Sequence, residues 1–363
     1  MSFWYSFPAV KGKQANRDYY ISMIPLKMLS KLFPEDEEHI SPEYRAQRKL
    51  NLARIPIIAD YIIKNRSSYV FSALAASIDG DFHFENSDIS ELGVLNISMD
   101  AIFLINDGQH RKAALLNAIK EDETLLDETI PIVFFEDTGL SRSQQMFTDL
   151  NKYAVKTSNS IAELYDSRDK LAVSTRNVIS QIDFLNRYTD KEKDNLGKFS
   201  SNLFTLNTFY MANKAIYSSL KDKDQLDNFL YKYWNSVSLN MQPWVDLENG
   251  HITKTSLREN FIATQGIVIQ ALGKLGAYYA NGKYESIERI DKLKYIDWNR
   301  SATSWKNRAI KSNGRIIANT KAVLLVSNLI KQKLGIKLSN DEQAAENMFK
   351  SQENVNEGSV IER

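Results

Sequence analysis

The sequence predicts an α+β protein, with a mixed N-terminal domain over residues 1–155 and a mainly helical domain over residues 156–338. Two observations carry this. Up to about residue 150, short apolar runs of strand length alternate with segments whose apolar residues recur at helical spacing. From about Ser160 onward the apolar residues recur at intervals of three and four, and no alternating strand pattern stands out. The last segment, residues 339–363, is polar and rich in Glu, Asn and Gln, so beyond one short helix it is expected to be disordered.

Residues 18–24 alternate as a strand does, and Pro25 then opens a short helix through Leu26, Leu29 and Leu32. A polar turn over residues 34–42 follows. The next segment carries Arg45, Arg48, Lys49 and Arg54 with no acid before Asp60. A helix beginning near Pro56 and ending near Asn65 buries Ile58, Ala59 and Ile62. Residues 69–78 read as a strand, Asp79-Gly80 as a two-residue hairpin turn, and Phe82 and Phe84 as the returning strand. Residues 95–99 lead towards a buried strand at 101–105, a helix covers 113–119, and residues 131–135 form another short strand. Ser141-Arg142-Ser143-Gln144 fits a capping box for a helix through Met146, Phe147 and Leu150.

In the second half, Leu203, Leu206, Phe209 and Ile216 suit one helix, and Phe229, Leu230, Tyr233, Trp234 and Val237 another. Residues 257–279 read as a long apolar helix in which Gly266, Gly273 and Gly276 allow close helix contact. The aromatic residues here are assigned to the core, because large rings are readily buried.

With 363 residues, 43% hydrophobic and 25% charged, the chain has the composition of a soluble globular protein long enough for two domains. No segment offers the ~18 consecutive apolar residues of a membrane span, and the N-terminus lacks the basic start and apolar core of a secretory signal. A cytoplasmic location is therefore expected. The absence of cysteine excludes disulfides, thiolate zinc sites, iron–sulfur clusters and cysteine nucleophiles. Lys and Arg number 46 against 45 Asp and Glu, so any affinity for nucleic acid must come from uneven distribution.

The densest constellation is Asp107-Gly108-Gln109-His110-Arg111, placed between the strand at 101–105 and the helix that follows. Asp107 stands where an N-cap belongs, and Gly108 is free to adopt backbone angles that other residues resist. A helix N-terminus exposes unpaired N–H groups and a partial positive charge, to which Gln109, His110 and Arg111 add side-chain donors, so the junction suits phosphate or another anion. The same residue types also make ordinary turns and caps, and Arg111 can simply be solvated. His110 becomes a general acid or base if Asp107 or a distant carboxylate orients it.

The most one-sided charge lies over residues 292–337, where Arg300, Lys306, Arg308, Lys311 and Arg315 are among eleven cations and Asp297 is the sole acid. Such a band either neutralises a phosphate backbone or forms a solvated surface. Arg45, Arg48 and Arg54 pose the same alternative. Gly314 between Lys311 and Arg315 reads as a turn carrying exposed charge. The P-loop, dinucleotide and nucleophile-elbow signatures are absent, and the four histidines are too dispersed in sequence for a local metal site.

The Asp107–Arg111 motif resembles that of the DGQHR-domain proteins, and closely resembles that of the DndB family of DNA phosphorothioation (dnd) gene clusters. The likeness extends over LNLARIPIIADYI, YVFSALAASIDGDFHF, INDGQHRKAA, the RSQQMFTDLNKYA run and the late IDWNRSATSW segment. It implies a ParB/sulfiredoxin-like N-terminal fold, in which a G-x-x-R turn, here Gly108 and Arg111, handles nucleotide phosphate. Sulfiredoxin's cysteine is absent, which excludes thiol repair. The resemblance further implies a DNA-binding transcriptional regulator, a repressor of the modification genes acting on double-stranded promoter DNA. Arg45, Arg48, Arg54, Arg300, Lys306, Arg308, Lys311 and Arg315 are then the candidate DNA contacts. The alternative is a nucleotide-hydrolysing enzyme with Asp107, Gly108, Gln109, His110 and Arg111 on the phosphates and His110 or Asp107 as catalytic candidates. Its implied cofactor is a nucleoside triphosphate with Mg. Other modification proteins are further candidate partners, and a dyad-symmetric operator would call for a homo-oligomer.

Overall fold

A computed structural model describes residues 3–34, 50–137, 139–152, 157–282 and 287–361, which fall into two compact units, Met1–Val155 and Lys156–Arg363. The first is built from β1 (Trp4–Gln14), β2 (Arg17–Pro25), α1 (Leu29–Leu32), α2 (Ile55–Lys64), β3 (Leu74–Asp79), β4 (Phe82–Asn86), β5 (Leu92–Ser98), β6 (Ile102–Asp107), α3 (Gln109–Glu121), β7 (Thr129–Glu136) and α4 (Leu140–Lys152). The strands form one sheet in the order β4-β5-β1-β2-β7-β3-β6, antiparallel throughout except where β3 lies parallel to β7. The protein is thus mixed α+β.

Strand β1, for which the sequence reading made no provision, lies third from one edge between β5 and β2. Its partner β2 is reached through Ala15 and Asn16, both at positive φ, the geometry that matches the twist of a two-residue hairpin. Asp79-Gly80 is not such a turn: β3 pairs with β6 and β7, whereas β4 pairs with β5. Only Gly80 and Asp81 separate β3 from β4, yet the two strands stand five positions apart in the sheet. Five strand spacings in a flat sheet would span roughly 24 Å, more than three Cα steps can bridge, so the sheet must curl until its edges approach. The Tyr5 and Phe103 rings, from β1 and β6, accordingly lie 6.5 Å apart.

The curl encloses a core of Phe7, Ile24, Leu74, Ile132 and Phe134 from the strands and Leu29, Ile62 and Leu115 from the helices. Each fully buried side chain of this size contributes roughly 1.5–3 kcal/mol. The strand expected over residues 69–78 begins only at Leu74. Ser141 lies inside α4 rather than capping it, while the Asp137 carboxylate accepts from Gly139 N and Ser143 Oγ at 2.8 and 3.1 Å. The polar turn at 34–42 falls mostly outside the described residues.

The second unit comprises α5 (Asn159–Tyr165), α6 (Lys170–Gln181), α7 (Asp183–Tyr188), β8 (Thr189–Asp190), β9 (Phe204–Thr205), α8 (Leu206–Ser219), α9 (Leu226–Asn240), α10 (Gln242–Glu248), α11 (Lys254–Asn260), α12 (Gly266–Ala280), α13 (Thr320–Lys333) and α14 (Asn340–Ile361). Two two-residue strands, β8 and β9, are the only strands among its described residues, and Trp234, Trp244, Trp298 and Trp305 are all buried in its core. The long helix expected at 257–279 is two helices. Between them Ile262 N donates to Trp298 O and Arg300 N to Asn260 O, so the backbone bonds to residues 298–300 instead of to itself. Gly273 and Gly276 bring α12 against α8, for a Cβ on Gly273 would lie 2.5 Å from Ala212 O and one on Gly276 would lie 2.6 Å from Ile216. Within residues 339–363, where one short helix and otherwise disorder were expected, Asn340–Ile361 form a 22-residue helix, α14, with Glu346 and Phe349 buried.

Candidate functional site

The strand-to-helix junction is where β6 hands over to α3. Gly108, not Asp107, occupies the N-cap position, with φ +99 and no side-chain cap. A Cβ there would meet Leu74 at 2.4 Å, so both conformation and space demand glycine. The first intrahelical bond is Lys112 N to Gly108 O at 2.9 Å, which leaves the amides of Gln109, His110 and Arg111 outside the helical ladder.

Asp107 is drawn elsewhere. Its Oδ2 accepts from Arg111 Nη2 at 2.6 Å. Arg111 Nη1 in turn donates to the carbonyls of Ser72 and Ala73 at 2.7 and 2.8 Å and to Ser72 Oγ. The guanidinium expected to grip an anion is therefore a brace, tying the start of α3 to the segment that enters β3. Its side chain retains 19% exposure, against 40% for Asp107.

His110 Nε2 accepts the Asn51 N–H at 3.0 Å, which places the ring's proton on Nδ1 in its neutral form. This contact, together with Asn51 Oδ1 accepting from Ala53 N, fixes the turn that leads into α2. Arg54, exposed and without an ion pair among the described residues, thereby lines one pocket of about 550 Å³ with Asn106, Asp107, Gly108, Gln109, His110 and Phe147. Sequence reasoning had assigned Arg54 and the 107–111 motif to two separate roles. It also overlooked Asn106, which is buried, accepts from Ser77 Oγ at 2.9 Å and leaves Nδ2 unpartnered among the described residues. Only a buried polar residue at the end of an apolar strand signalled it. Helix amides and one exposed guanidinium suit a phosphate or carboxylate. They do not suit Mg: among the described residues the one carboxylate lining the pocket, Asp107, is already paired with Arg111, and no group of three or more His, Asp or Glu is placed to hold a metal.

The basic stretch of the second unit divides by use. Arg308 is buried: its Nη1 and Nη2 donate to both oxygens of Glu346 at 2.6 and 2.9 Å, Nη1 also to Leu325 O, and Phe349 covers its face. It is a core residue and not a nucleic-acid contact, because its charge is fully committed inside. Arg300 is half-buried and donates to Gly314 O at 2.8 Å. Lys306, Lys311 and Arg315 are exposed and carry no ion pair among the described residues. Trp298 and Trp305, stacked 5.5 Å apart, donate to Leu293 O and Asp297 O within the core. Arg45 and Arg48 lie outside the described residues. Among the described residues, no helix is long and apolar enough to cross a membrane.

These features define a two-unit α+β protein with an anion-suited turn in one unit and a one-sided run of exposed cations in the other. The chain belongs to the DndB family, described as DNA-sulfur modification-associated, whose pattern matches residues 7–337. No curated protein and no solved structure matches it.

Proposed function

We propose that the protein is a DNA-binding transcriptional regulator, a repressor, of a DNA phosphorothioation gene cluster, acting in the cytoplasm on the promoter duplex of the modification genes. Family membership supports the link to DNA sulfur modification. The observation that carries the DNA-binding part is the exposure of Lys306, Lys311 and Arg315 in a stretch whose sole acid is Asp297. Cations without internal partners are available to displace counterions from phosphates, whereas Arg308 is not. The test is a gel shift comparing promoter fragments of the cluster with random duplex of equal length. Tighter binding to the promoter is expected. Equal affinity for both would end the repressor reading.

A second reading concerns the junction in the first unit. Its Gly108-x-x-Arg111 spacing supports a ParB/sulfiredoxin-like phosphate turn, and the pocket supports binding of a nucleoside phosphate through the Gln109 and His110 amides and Arg54. It does not favour hydrolysis, since Arg111 and Asp107 hold each other and His110 Nε2 already accepts a backbone bond. Calorimetric titration of wild type and Arg54→Ala with a nucleoside triphosphate tests this; binding that survives unchanged in the variant would remove Arg54 from the site. Nucleotide that shifts the gel-shift midpoint would couple the two units. A complex with other modification proteins would show as co-purification in DNase-treated extract.

A further inference from the structure

Residues 310–316 form a small hairpin whose ends, Ile310 and Ile316, bridge antiparallel. Its tip, Lys311-Ser312-Asn313-Gly314-Arg315, is exposed at every position. Lys311 N donates to Arg315 O and Gly314 N to Lys311 O, both at 2.9 Å, and Gly314 has φ +77, the left-handed residue that a bulged hairpin loop requires. Two side chains stiffen it further: Arg300 Nη2 donates to Gly314 O, and Asn313 Oδ1 accepts from Arg315 N at 3.1 Å. The base is rigid, since Ala309 and Ile310 are buried and both amides donate to the carbonyl of buried Trp305.

We propose that this tip is the element that reads sequence, entering the major groove of duplex DNA with Arg315 on base edges and Lys311 on the backbone. The inference rests on the DNA-binding reading above. Three of the arginines between 289 and 315 donate to protein acceptors, Arg289 to Gly335 O, Arg300 to Gly314 O and Arg308 to Glu346. Arg315 has no such acceptor among the described residues. A two-stranded ribbon fits the major groove, and a guanidinium fork matches the two acceptors of guanine there. A lysine meeting phosphate needs no fixed geometry, but base reading does, and a tip already ordered by its own hydrogen bonds loses little freedom on binding. Asn313, its oxygen engaged, retains Nδ2–H donors for base acceptors. Arg300 is a positioning residue here, holding the turn without touching DNA.

The experiment uses the full chain and two probes: a duplex enriched from a randomised pool on the wild-type protein, and its scrambled counterpart. Arg315→Lys keeps the charge and loses the fork, so the ratio of its affinities for the enriched and the scrambled duplex is expected to fall roughly tenfold or more. Arg300→Ala should also lower the preference, with Arg315 still in place. If Arg315→Lys keeps the full preference, or if enrichment yields no preferred sequence although duplex binds, base reading by the tip is wrong and DNA binding stands. If no duplex binds at all, both readings fall together.

Discussion

Arg111 Nη2 stands 2.6 Å from Asp107 Oδ2, four residues back along the chain, and through Nη1 the same guanidinium holds the Ser72 and Ala73 carbonyls. Two residues with the look of ligand-binding groups thus close a mechanical joint between β6, α3 and the entry to β3. Their removal should be felt as lost stability. Arg111→Ala is expected to cost about 2 kcal/mol, the value of charged hydrogen bonds discounted for partial exposure. Urea melts check it, and the Asp107→Ala/Arg111→Ala double variant should lose less than the sum of the single losses.

Arg308 and Glu346 form the most deeply buried ion pair among the described residues, with side-chain exposures of 8% and 0%. Glu346→Ala leaves a guanidinium buried without its counter-charge and should destabilise the protein by about 3–5 kcal/mol. Lys331 of α13 and Glu342 of α14 pair at 2.5 Å. Burial raises the Glu342 carboxyl, but the Lys331 ammonium and the Ser339 amide outweigh it and hold the group below its usual range. Glu342→Ala, with the pair more open to water, should cost less than Glu346→Ala in the same denaturation series.

Glu163 titrates in the opposite sense. Burial, then the neighbouring carboxylates Asp194 and Asp169, raise it from 4.5 to about 7. The folded state therefore holds this proton where the unfolded chain has released it, so Glu163 makes stability fall as pH rises from about 4.5 to about 7. Melting temperatures of Glu163→Gln measured between pH 5 and 8 should show a shallower decline than wild type, with the variant the more stable at pH 8.

Two glycines of one helix should behave differently. A Cβ at Gly273 would sit 2.5 Å from the backbone oxygen of Ala212, whereas at Gly266 the nearest atom is Thr208 at 3.8 Å. Gly273→Ala is expected to lower stability by roughly 1–3 kcal/mol and Gly266→Ala to leave it unchanged or slightly higher, judged by thermal melts.

Much of this fold could be read locally, and what could not depends on distant partners. Helix α3, strand β7 and the turn at Gly314 announce themselves through periodicity and turn chemistry within a few residues. Strand β1 does not, because Pro8 interrupts it and its place is set by pairing with β5, far along the chain. At the candidate site, the special backbone of Gly108 was legible, but the acceptors that occupy Arg111 lie 38 and 39 residues away. Arg308 looked like its basic neighbours for the same reason: Glu346 sits in a segment whose polar composition suggested a tail.

The claim that the second unit meets DNA through its exposed cations is tested most directly by the salt dependence of duplex affinity. For wild type, the logarithm of the association constant should fall steeply and linearly with the logarithm of salt concentration. Lys306→Ala/Lys311→Ala should make that slope shallower by roughly two, about one for each phosphate that is no longer neutralised. A double variant with the wild-type slope and affinity would contradict the account.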